Sequence, residues 1–224
     1  MKFTILTLFP EAIEPYLNSS MLWKAQKDKK IKVSLINFRK FALDKHKRAD
    51  DRPFGGGPGM VLKAEPILRA IAKLKTQSAK PKVKILITSP RGKQFTNELA
   101  NKWAKKYKEL VVIAGHYEGI DARVKKILKA EEISVGPYTL TGGELPALVI
   151  VDAITRQISG VLGKEESLEE KRVASGEVYT RPELLKFKGK SYKVPKVLLS
   201  GHHKKIEFWR SKNISGYRVT GNGN

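Results

Sequence analysis

Three apolar segments in the middle of the chain each run into a glycine-bearing loop, and this limits the fold more than any other feature. Residues 83–88 (VKILIT) stop at Ser89-Pro90-Arg91-Gly92. Residues 110–114 (LVVIA) stop at Gly115-His116-Tyr117-Glu118-Gly119, and residues 132–135 lead into Gly136. Short apolar runs bounded by turn residues read as buried strands. Helical spacing lies between and around them, over residues 65–74, starting near Pro66, and over 96–107. Residues 3–9 (FTILTLF) and 31–38 (IKVSLINF) predict two earlier strands, with a helix over 11–30 between them. Strand–helix alternation of this kind predicts an α/β domain with a parallel sheet. Ligands in such sheets bind beyond the carboxyl ends of the strands. Three loops converging there predict one pocket rich in backbone N–H and C=O groups, suited to a heterocycle such as adenine. Neither GxxxxGK[ST] nor a GxGxxG after a strand is present, so a triphosphate cradle is not indicated.

The third loop opens the most informative stretch, residues 134–156 (SVGPYTLTGGELPALVIVDAITR). Gly136, Gly142 and Gly143 allow close backbone approach. Pro146 falls where a first helical position is expected, and the apolar run 147–151 predicts a largely buried helix. Asp152 and Arg156 share one face of it. They form either an ion pair or a helix that delivers an arginine into a pocket floored by the glycine loop. Residues 50–59 (DDRPFGGGPG) cannot be a regular element. With Asp50, Asp51 and Arg52 at its base, this loop reads as a lid or substrate clamp; the alternative is a solvated turn.

Charge narrows the partners. The chain has 44 Lys+Arg against 22 Asp+Glu, a formal net charge of +22, which attracts polyanions. Residues 171–224 hold 13 basic and 3 acidic side chains, the footprint of a nucleic-acid grip. The absence of cysteine excludes thiolate metal sites and disulfides. No apolar run of about 18 residues suggests a membrane span, and the N-terminal segment reads as a first strand rather than a signal peptide, so a cytoplasmic protein is expected. The predicted domains are 1–160, a linker over 161–178, and a small basic helical domain over 179–224, with Ser200 as N-cap of a helix through His202, Ile206 and Trp209. Residues 214–224 are expected to fray. His202 and His203 are not read as metal ligands, because adjacent helical residues diverge.

Five blocks in order resemble the bacterial tRNA (guanine-N1)-methyltransferase family, TrmD. They are DDRPFGGGPGM at 50–60, GHYEGID at 115–121, the stretch 134–156 with GGELPA, YTRPE at 179–183 and LSGHH at 199–203. The resemblance implies a SPOUT fold: an α/β domain with a deep trefoil knot over roughly 85–150, acting as a homodimer whose active site is shared between subunits. It implies S-adenosylmethionine held by Thr88, Ser89, Pro90, Gly115, Tyr117, Glu118, Gly119, Val135, Gly136, Tyr138, Leu140, Gly142, Gly143 and Pro146. It implies methylation of N1 of guanosine 37 in tRNA, preceded by G, with Asp50, Arg52, Gly57, Gly59, Arg181, His202 and His203 contacting the RNA. Arg156 is the candidate stabiliser of charge on guanine O6, and Asp50 is carried with it as a catalytic candidate. Where the family carries an acidic general base, the alignment puts Lys171; Glu170 and then Glu169 are the candidate bases beside it. The C-terminal domain is shortened relative to the family. Partners implied are tRNA and a second copy of the chain, with no membrane and no DNA; Mg2+ is a possible addition that the sequence does not specify. Two other readings keep the pocket: a catalytically weak RNA-binding relative, and a knotted methyltransferase acting on other RNA.

Overall fold

The computed structural model describes residues 1–75, 82–162 and 177–212. The chain divides into two compact units, residues 1–163 and 164–224. In the first, β1 (Lys2–Thr7) is followed by α1 (Glu14–Leu17), α2 (Ser20–Lys27) and β2 (Lys32–Asn37). A small antiparallel pair, β3 (Asp50–Asp51) and β4 (Val61–Leu62), precedes α3 (Ala64–Lys75). Then come β5 (Val83–Gln94), α4 (Asn97–Lys106), β6 (Glu109–Ile113), α5 (Ala122–Leu128), β7 (Glu131–Ser134) and α6 (Glu144–Arg156). The main sheet has the order β2-β1-β6-β5-β7, and every pairing in it is parallel.

The expected mixed α/β fold with a parallel sheet is therefore present. Side chains alternate across a strand, and here both faces are apolar. Phe3, Ile5, Leu110 and Val112 pack on one face with Leu22 of α2, Trp103 of α4 and Ile150 of α6. Leu6, Val111 and Ile113 pack on the other with Ile67 of α3 and Val124 of α5. Helices cover both faces, which is why the strands read as continuous apolar runs. A carboxylate sits at the start of one of these strands. Glu109 is 4% exposed; Lys2 Nζ lies 2.9 Å from its Oε1, and Thr4 Oγ1 donates to the same oxygen at 3.3 Å.

Three expectations for the first unit are corrected. The helix over 11–30 is broken into a 3-10 turn (Pro10–Ala12), α1 and α2. Ser19 is extended and donates its hydroxyl to Tyr16 O at 2.9 Å, a local bond that competes with helix continuation. The strand at 83–88 does not end at Ser89. β5 buckles over residues 89–92 and pairs again, so that Thr88 and Lys93 both oppose Ile133. Helix α6 starts at Glu144, with Gly143 as its N-cap, so Pro146 is its third residue, still within the turn whose N–H groups have no helical partner. Its apolar run 147–151 is largely buried, as expected; Val149 is 47% exposed and shares one face of the helix with Leu145, 58% exposed.

The second unit is not purely helical. It opens with a hairpin of β8 (Leu184–Phe187) and β9 (Lys190–Lys193). Lys188 and Gly189 both have positive φ, 47° and 74°, as a tight two-residue hairpin turn requires. α7 (Lys196–Leu199) and α8 (His203–Lys212) follow. Ser200 does not cap α8; it ends α7, and its hydroxyl accepts from His202 N at 3.3 Å. His202 thus precedes the helix rather than lying in it. Residues 214–224 lie outside the described residues.

Gly92 sits in the buckle of β5. A Cβ there would meet Glu132 O at 2.7 Å and the Ile133 nitrogen closer still, both backbone atoms of β7. Gly92→Ala is expected to destabilise the protein by about 1–3 kcal/mol, read as a lowered thermal midpoint. An unchanged midpoint would mean that the buckle relaxes freely.

Candidate active site

A cavity of about 1150 Å³ opens at the carboxyl ends of β6 and β7, beside the buckle of β5. The loops after β6 and β7 line it together with residues 87–91 of β5, at that strand's buckle; for β6 and β7 this is the position expected in an α/β sheet. Of the residues implied to hold a donor, Thr88, Ser89, Pro90, Gly115, Tyr117, Glu118, Gly119, Val135, Tyr138, Leu140, Gly142, Gly143 and Pro146 line the cavity. Gly136 does not. It lies beneath the Tyr138 ring, where a Cβ would stand 2.7 Å from the phenol oxygen.

Backbone contacts bring the loops together. Gly143 N donates to Gly115 O at 2.6 Å, and His116 and Gly142 form an isolated antiparallel bridge. Thr88 Oγ1 accepts from Gly115 N at 3.0 Å. A Cβ on Gly143 would collide with Thr88 Oγ1 and the Gly115 nitrogen, and one on Gly142 would come within 2.7 Å of His116 Nδ1. These two glycines are required by closeness, since neither has a positive φ. Tyr117 does, at 56°, and it stands 46% exposed on the wall with Tyr138 at 54%.

Beneath the wall lies a buried polar chain that the sequence reading missed. Glu144, 8% exposed, accepts from the Thr7 hydroxyl at 2.7 Å. Its other carboxylate oxygen lies 3.8 Å from His116 Nδ1, beyond hydrogen-bonding range, and that nitrogen is buried without a hydrogen bond. The helix N-terminus favours an acidic side chain at this position. The signal available was a charged residue opening an apolar helix. Arg91, Asp121, Lys126, Lys129 and Glu132 also line the cavity and went unnamed as site residues. Asp121 caps α5 by accepting from Arg123 N at 2.9 Å, and the Arg123 guanidinium holds its carboxyl below the usual range.

The other predicted residues are distributed differently. Asp50 pairs with Leu62 in the β3–β4 stem, and Arg52 and Gly57 are exposed beyond it. None of the three lines the cavity. Gly59 touches the wall: at φ 81°, its absent Cβ would sit 2.6 Å from Glu118 Cγ. Arg156 does not enter the cavity of its own chain. It is the last residue of α6, ten residues beyond Pro146, or about 15 Å along the axis at the usual helical rise. It is not paired with Asp152, which accepts from Tyr16 Oη at 3.0 Å. Glu169, Glu170 and Lys171 lie outside the described residues. Arg181, His202 and His203 are exposed in the second unit. Among the described residues, no cluster of three or more His, Asp or Glu is placed to hold a metal ion.

Thr7→Val leaves the buried Glu144 carboxylate without its donor. A loss of about 1–3 kcal/mol is expected, measured by thermal or denaturant unfolding. Equal stability would mean that water replaces the hydroxyl.

A family model described as tRNA (guanine-1)-methyltransferase TrmD matches residues 1–220. A protein of Carboxydothermus hydrogenoformans named tRNA (guanine-N(1)-)-methyltransferase is 47% identical over 216 residues, 95% of this chain and 82% of the relative. Proteins of the same name from Desulfitobacterium hafniense and Bacillus subtilis are 48% and 46% identical. Each alignment covers 95% of this chain, and 79% and 86% of the respective relatives.

Proposed function

The chain belongs to the tRNA (guanine-1)-methyltransferase family, and from that premise we propose that it methylates N1 of guanosine 37 in tRNA with S-adenosylmethionine as donor. The observation that carries this is the cavity, where the loops implied to hold the donor meet. Its walls fit such a molecule. Backbone groups where the loops meet suit the edge of a flat heterocycle. Arg91, Lys126 and Lys129 at the cavity suit a carboxylate, and Glu118 suits a cationic group; Asp121 and Glu132 are paired with Arg123 and Lys125. The meeting of these loops supports a SPOUT knot over roughly 85–150. A tRNA substrate implies work in the cytoplasm; among the described residues no helix is long and apolar enough to cross a membrane.

When bound, the donor supplies an electrophilic methyl on a sulfonium, which needs positioning more than activation. The guanine N1 gives its proton to a carboxylate, Glu170 or else Glu169, and takes the methyl. The charge that grows on O6 needs a cation, the role of Arg156. About 15 Å of helix separates Arg156 from its own cavity, so it acts on the cavity of a second copy. The exposed Leu145–Val149 face of α6 supports such a dimer: two α6 helices packed antiparallel bring each Arg156 near the other's first turn. Asp50, Arg52, Gly57 and Gly59 meet the guanine and its neighbours from the glycine loop. The basic second unit, with Arg181, His202 and His203, grips the RNA backbone.

Arg156→Ala is expected to lower kcat by about 100–1000-fold with donor affinity unchanged by calorimetry. Mixing it with a donor-binding variant such as Tyr138→Ala restores turnover only if the arginine acts across subunits; no restoration places it in its own chain's site. Glu170→Gln is expected to slow turnover steeply and Glu169→Gln only slightly. Equal, small effects would locate the base elsewhere.

A further inference from the structure

We propose that Phe54 is a base-stacking residue: its ring, carried on the glycine loop, takes the face of an unstacked nucleobase of the bound RNA. The inference rests on the tRNA-methyltransferase reading and adds to it a contact made by a residue not otherwise assigned. Phe54 is 102% exposed, whereas phenylalanine is ordinarily among the most buried residues. Nothing in the described chain shields its ring.

The stem beneath the ring is fixed. Asp50 pairs with Leu62 and Asp51 with Val61, and Lys63 Nζ lies 3.1 Å from Asp51. The stem is also bonded to the cavity wall, through Leu62 N to Gly119 O at 2.9 Å and Glu118 N to Met60 O at 3.1 Å. The ring therefore projects from a base anchored to the cavity. Gly55, Gly56 and Gly57 follow it at φ 86°, 80° and 115°, and a Cβ on any of them would find nothing within 4 Å. Backbone conformation, and not packing, selects glycine there, and the space beside the ring stays open. Pro53 before it has a fixed φ, and Arg52 is exposed. An open ring with an exposed arginine two residues before it in the same loop is the combination by which single-stranded RNA is held, with bases stacked and phosphates neutralised.

The test is turnover at saturating donor on a tRNA transcript bearing GG at 36 and 37, across four variants. Phe54→Ala and Phe54→Leu are expected to raise KM for the transcript about tenfold, with donor affinity and thermal midpoint unchanged. Phe54→Tyr and Phe54→Trp should keep the wild-type KM, and the Phe54→Trp variant should gain a fluorescence component that the transcript quenches. An unchanged KM in Phe54→Ala, or full rescue by leucine, overturns stacking. So does a shift in sedimentation of Phe54→Ala, which would mean that the ring docks on a second copy. If the wild type binds donor but does not methylate the transcript, the methyltransferase reading fails by itself. Filter binding of the same transcript then decides the inference, and equal affinity of wild type and Phe54→Ala overturns it.

Discussion

The site depends on backbone meeting backbone. Gly143 N reaches Gly115 O at 2.6 Å, and this contact joins the loop after β6 to the loop that starts α6. Side chains at Gly142 or Gly143 would hold the two apart. A wall made this way presents amides and carbonyls to a ligand, which bind a heterocycle's edge without any charged side chain. Glu144 then anchors the assembly from below, tied to the end of β1 by Thr7. Three parts of the chain far apart in sequence, around residues 7, 116 and 143, are fixed against one another by two loop contacts and one buried carboxylate.

α6 also fixes how far apart two parts of the chain must stay. Its first turn touches the cavity and its last residue is Arg156. A rigid helix keeps those ends about 15 Å apart, so no side-chain rotation brings the guanidinium back to the cavity. The exposed Leu145 and Val149 lie on the face between them. Length of helix, rather than any contact, is what keeps Arg156 out of its own chain's cavity.

Much of this was legible in the sequence, for identifiable reasons. Strands buried on both faces announce themselves as apolar runs, and glycine loops at their ends are written in the residues. The cavity lining followed from those two facts and the family resemblance. What escaped notice depends on three-dimensional competition. Ser19 breaks a helix through one hydroxyl bond, which helical spacing does not register. β5 resumes after Ser89-Pro90-Arg91-Gly92 because β7 offers it a further pairing, and a partner strand is invisible along the chain. Of the two readings of Arg156, the ion pair with Asp152 is not formed, since Asp152 accepts from Tyr16, and the count of residues along the helix places Arg156 away from its own chain's cavity. The hairpin of the second unit was missed because Lys188-Gly189, a good tight turn, lies among lysines that drew the reading toward charge.

The strand order carries a consequence for how the protein is made. β1 pairs with β2 soon after synthesis, but its other edge waits for β6, with Lys2 opposite Glu109. During translation that edge is an unpaired row of amides on an apolar strand, the kind of surface that recruits other chains. Lys2 and Glu109, which meet at 2.9 Å when the edge closes, stand at the start of each strand. The nascent chain therefore has a vulnerable interval between residues 37 and 109, before the loops after β6 and β7 that complete the cavity have been made.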